Sequence, residues 1–104
     1  MRRPMSVLLG GLAATAALAM SAPAFAATGD FSYHVQPGNI PEVLHNPQDE
    51  QCYDVGNAGG GATNHTNRDA VLYVGTSCRG DISETIHAGA FSDHAEFRSV
   101  KFVR

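Results

Sequence analysis

The sequence predicts a small antiparallel all-β domain with one disulfide, carried behind an N-terminal export signal. Three observations lead there. Short alternating runs separated by glycine fill residues 70–104, no window in that stretch keeps a helical period, and both cysteines fall in the part that would be exported.

The run from Ala70 to Val74 is apolar, with Val71 and Tyr73 on one face and Leu72 and Val74 on the other. Gly75, Ser77 and Gly80 then punctuate the chain. Ile82, Glu84 and Ile86 define one side of a second run, and Ala88-Gly89-Ala90 ends it. From Phe97 to Val103 the alternation returns, with Val100 and Phe102 opposite Ser99, Lys101 and Val103.

Met1 to Ala26 reads as a signal peptide. Arg2 and Arg3 form a basic start, Val7 to Met20 a short apolar core, and Ala24-Phe25-Ala26 a small-residue cleavage site. Cleavage there leaves 104 − 26 = 78 residues with net charge 5 − 10 = −5, histidine neutral. An acidic domain with scattered arginines and only Lys101 beside them lacks the clustered cations that phosphate binding needs, so neither nucleic acid nor a membrane is expected as partner after cleavage. A secreted monomer is expected.

Chains this short bury little core and tend to be stapled. Cys52 and Cys78 are the only cysteines, and in an oxidising compartment one disulfide between them is expected. A metal site is not: two cysteines without a CxxC pair are too few, and no His-Glu-x-x-His occurs.

Residues 27–48 read as an irregular N-terminal segment. A short strand at Phe31-Ser32-Tyr33-His34-Val35 is followed by Pro37-Gly38, Pro41 and Asn46-Pro47, which interrupt any regular element. The small β domain is then residues 49–104. Within it, Gln51 to Val55 reads as a strand, Gly56 to Gly61 as a flexible hairpin connection, and Ala62 to Thr66 as a further strand. No Lys-Ser/Thr follows the glycines, so they do not form a phosphate loop. Asn64-His65-Thr66 matches a glycosylation sequon, to which the bacterial style of the export signal gives little weight.

Tyr73, followed by Cys78, Gly80 and much later Ser99, resembles one Greek-key motif of the βγ-crystallin superfamily. In that motif an aromatic and a glycine shape a folded hairpin, and a serine in the last strand bonds to it. Cys78 stands where a second aromatic is usual. The resemblance implies a Greek-key sandwich, with a first, degenerate motif before Asn67 that no aromatic-glycine signature marks. It does not extend to calcium, because alignment on Ser99 puts His94, Ala95 and Arg98 where oxygen ligands are needed.

No nucleophile elbow, cofactor motif or catalytic constellation is present, so no catalytic residue, metal or cofactor is assigned. The expectation is a non-enzymatic secreted module that binds an extracellular protein or a polysaccharide. It would act in the manner of the protease inhibitors or antimicrobial proteins that the resemblance brings with it. A tiny secreted hydrolase and a structural envelope-associated protein are the alternatives. The expected binding surface joins the loop Gly75–Gly80 to a second loop in which Phe91 lies beside His87, Asp93 and His94.

Overall fold

A computed structural model describes residues 25–104, and the expected signal peptide lies almost wholly outside the described residues. Among the described residues, seven strands form one antiparallel sheet: β1 (Gly29–Val35), β2 (Ile40–His45), β3 (Cys52–Thr66), β4 (Asp69–Tyr73), β5 (Ile82–Ile86), β6 (Phe91–Ser92) and β7 (Phe97–Val103). The strand order is β2-β1-β3-β7-β4-β5, with β6 also paired to β3. The domain is all-β, as the alternating runs require.

Strand β3 makes the sheet into a sandwich. Its first residues, Cys52 to Asp54, pair with β7, while Ala62 and Thr63 pair with β1 on one side and β6 on the other. Ala58 at the crossing is registered with both Val35 and Phe97. The result is two layers, β2-β1-β3-β6 and β3-β7-β4-β5, that share one bent strand. Residues 56–61 are therefore not a flexible hairpin connection. Gly56, Gly60 and Gly61 all have positive φ, and the register shifts against both neighbouring strands fall here. Glycine absorbs the extra residues as bulges that bend the strand while its pairing continues.

Residues 27–48 are not irregular either. They contribute the β1–β2 hairpin, registered from Asp30↔His45 to Val35↔Ile40. Pro41 is tolerated because β2 is an edge strand. Ala27 is buried and donates its N–H to the Pro47 carbonyl at 2.7 Å.

Phe31 and Tyr33 of β1 face Leu72 of β4, Ile86 of β5 and Val100 and Phe102 of β7 across the core. The rings of Phe31 and Phe102 meet edge-to-face at 5.3 Å between centroids. A polar cluster closes one end. Asn64, fully buried, donates to the Arg68 and Ile86 carbonyls at 2.7 and 2.8 Å and accepts from the N–H and hydroxyl of Thr66. Every polar position of its amide is engaged, so the sequon asparagine is a structural residue without an accessible amide.

The two halves are built alike. Gly38-Asn39-Ile40-Pro41-Glu42-Val43-Leu44-His45 and Gly80-Asp81-Ile82-Ser83-Glu84-Thr85-Ile86-His87 share glycine, isoleucine, glutamate and histidine at matching positions, offset by 82 − 40 = 42 residues. Each stretch enters the second strand of a hairpin, and in each the histidine pairs with an aspartate on the first strand, His45 with Asp30 at 2.8 Å and His87 with Asp69 at 3.2 Å. The second hairpin is three residues longer, 87 − 69 = 18 against 45 − 30 = 15. Its longer connection holds the short 3-10 turn Thr76–Cys78. After β5 the chain crosses to the other layer as β6 and returns as β7 beside β4, which is a Greek-key step.

Candidate functional site

The longer connection, residues 74–81, is held from three sides. Cys78 is bonded to Cys52 of β3 with their Cα atoms 5.9 Å apart. The Cys78 N–H donates to the Ser99 hydroxyl at 2.8 Å, and that hydroxyl donates to the Gly75 carbonyl at 2.6 Å. The Ser77 N–H donates to the Asp54 carboxylate. Ser77, Cys78 and Gly80 take φ of 56°, 55° and 80°. Only the last is a glycine, so the brace holds two residues in a conformation that L side chains rarely adopt.

This geometry explains why Ser99 is fully buried although its side chain points away from the core face of Val100 and Phe102. The folded loop covers it. Tyr73 ends β4 directly before the loop and is registered with Ser99. Tyr73, Gly80 and Ser99 thus belong to one local structure, with Cys78 as its fourth member. At the tip, Arg79, Gly80 and Asp81 are exposed, opposite charges on either side of a glycine.

The second expected loop is less of a unit. Phe91, registered with Thr63 of β3, is 71 % exposed and so is not a core plug. His87 turns to Asp69, whereas His94 pairs with its neighbour Asp93 at 2.8 Å, both side chains largely in solvent. The Asp93 carboxylate holds the His94 pKa above the ordinary histidine value, and Asp93 is held below the usual carboxylate range in return. Asp69 is also lowered, first by the N–H of Ala88 and then by His87. Among the described residues no group of three or more His, Cys, Asp or Glu side chains converges on a metal-sized site.

A third feature was not apparent in the sequence. A cleft of about 590 Å³ opens between the short β1–β2 connection, the bulged stretch of β3 and the start of β7; Gln36, Asn57, Gly59, Val74, Glu96 and Arg98 are among its lining residues. Gln36 is fixed there. Its Nε2 donates to the Asn39 side chain and to the Gly59 carbonyl, both at 3.0 Å, and its Oε1 accepts the Asn39 N–H. The lining comes from four separated segments, so no local motif announces it.

Comparison with protein-family models, with curated proteins and with solved structures returns no match.

Proposed function

We propose that this chain is a secreted, non-enzymatic binding module that engages an extracellular protein or a cell-surface polymer. The carrying observation is the braced loop 74–81, whose exposed Arg79-Gly80-Asp81 tip is held by the Cys52–Cys78 bond and by Ser99. A loop ordered before contact loses little freedom on binding, which is how inhibitor loops gain affinity from few contacts. Export follows from the reading of residues 1–26, and a disulfide in so small a domain is compatible with it. We further infer a kinship with the βγ-crystallin superfamily. The Greek-key return of β7, the positive φ of Gly80 and the bond from Ser99 to the folded loop support it.

The test uses purified protein against a panel of secreted endoproteases and against fungal and bacterial cell walls, with Arg79→Ala/Asp81→Ala alongside. Inhibition or retention that the double variant loses supports the reading. If the protein neither slows any protease nor is retained by any wall, or if the variant is unimpaired, the loop is not a binding element.

A further inference from the structure

The cleft between residues 36–39, 57–60 and 96–98 has the chemistry of a site for a neutral, hydroxyl-rich ligand, and we propose that it binds a glycan chain. The proposal rests on reading the chain as a binding module, but the polar lining of the cleft lies outside loop 74–81, which the cleft touches through Val74.

Charge is the first consideration. Glu96 and Arg98 line the cleft two residues apart on one strand approach, so both side chains leave the same face. Both are exposed, and neither forms an ion pair with any described residue. An acceptor-only carboxylate and a five-donor guanidinium therefore open onto one space with their hydrogen-bonding capacity unused. Their charges cancel, which disfavours phosphate and other polyanions, while adjacent hydroxyls of a sugar ring offer donors to the one and acceptors to the other.

Shape is the second. The bulged backbone of β3 forms one wall. A Cβ at Gly60 would lie 3.0 Å from the Gln36 Nε2 and 3.3 Å from the Asn39 Oδ1, so glycine there lets the pinned amide pack against the wall. Gln36 spends both Nε2 hydrogens on Asn39 and Gly59, which fixes its orientation before any ligand arrives. Asn57 adds an exposed amide, and Val74, 51 % exposed, adds a small apolar surface for the C–H face of a ring.

The same features argue against a peptide. A bound strand needs an unpaired sheet edge, yet β3 at Ala58 is paired on both sides, to Val35 and to Phe97. An apolar side chain needs a deep hydrophobic pocket, and Phe97, the only aromatic among the described lining residues, is 3 % exposed.

Two-dimensional amide NMR of the purified protein, titrated separately with chitin-, β-glucan-, starch- and xylan-derived hexasaccharides, tests this. At least one should shift the Gly59, Gly60 and Arg98 amides and the Gln36 side-chain amide in a saturable way. Glu96→Gln and Arg98→Ala should each weaken that affinity about tenfold or more, the loss expected for a hydrogen bond to a charged group, while the remaining spectrum stays that of the folded protein. If no hexasaccharide moves these signals, or if both variants bind as the parent does, the proposal is overturned. Shifts confined to residues 75–81 would also overturn it, while leaving the braced-loop reading standing.

Discussion

Ser99 Oγ joins the last strand to the disulfide loop, accepting the Cys78 N–H at 2.8 Å and donating to the Gly75 carbonyl at 2.6 Å. Ser99 is fully buried, so no water stands ready to replace it. Ser99→Ala strips a partner from two main-chain groups under the loop. The expected cost is about 2 kcal/mol, within the range for leaving buried polar groups unsatisfied. Urea unfolding with an unchanged slope and a lower midpoint is the expected result. A loss under about 0.5 kcal/mol would show that the disulfide alone sets the loop.

Reduction of the disulfide acts on the unfolded chain more than on the folded one. Cys52 and Cys78 are separated by 26 residues, and the constraint on a loop of that length amounts to about 3.5 kcal/mol in the chain-entropy model. For a domain of this size the melting temperature should fall by roughly 15–25 °C on reduction. Calorimetry with and without reductant measures it. An unshifted transition would mean that the unfolded chain is already compact around these residues.

Much of the fold was legible and some of it was not, for identifiable reasons. Strands β4, β5 and β7 follow from period-2 alternation, and the cysteines from composition and export. The first hairpin was obscured by Pro37, Gly38 and Pro41, which mark breaks in most contexts but here occupy a turn and an edge strand. The glycines of β3 suggested a loop because local propensity says nothing of pairing on both sides. The signal that would have found the first hairpin is the shared G-x-I-x-E pattern, which ends in histidine at His45 and His87 and places Ile40 and Ile82 alike. The brace around Ser99 is what the resemblance of Tyr73, Gly80 and Ser99 to a Greek-key motif implies. The cleft could not, since Gln36, Asn57 and Glu96 meet only after the sandwich closes.

Gly80 is required by its conformation. Its φ is +80°, and an added Cβ would sit 3.1 Å from the Val74 Cγ2. Gly80→Val adds a β-branched side chain in the left-handed region, with an expected loss of about 1–3 kcal/mol. Gly59 is the control: its φ lies outside that region, and its nearest contact would be 3.6 Å, to the Gln36 Cγ. Gly59→Ala should change stability by less than about 0.5 kcal/mol. Equal losses at the two positions would remove the special role of Gly80.

Acid should weaken the domain partly through Asp69. Its Oδ1 accepts the Ala88 N–H at 3.1 Å and its Oδ2 lies 3.2 Å from the His87 ring, which together hold its pKa below the ordinary value. A carboxyl lowered on folding stabilises the native state above its unfolded pKa of about 3.9, and that contribution disappears as pH falls through the folded value. Asp93 is lowered too, but its partner His94 is the next residue, so the unfolded chain retains much of the same pairing. Urea midpoints measured at neutral pH and below pH 4 should therefore drop less in Asp69→Asn than in the parent, and no less in Asp93→Asn. Identical acid profiles for Asp69→Asn and the parent would exclude Asp69 as a source of acid sensitivity.

Phe91 and Phe31 make a matched pair for separating surface from core. Both are phenylalanines on strands beside β3, yet Phe31 is fully buried against Phe97 and Phe102 while Phe91 is 71 % exposed. Truncating Phe31 to alanine opens a cavity that close-packed neighbours cannot fill, with an expected cost of about 3–5 kcal/mol, enough to unfold a domain of this size near body temperature. Phe91→Ala removes a side chain with little to lose on unfolding, so its midpoint should stay within about 0.5 kcal/mol of the parent. An exposed aromatic that can be removed without a stability cost is available for contact with another molecule. Comparing Phe91→Ala with the parent for retention on the cell walls that bind the protein then measures its contribution directly. Unfolding of Phe91→Ala would instead mean that β6 depends on this ring for its pairing with β3.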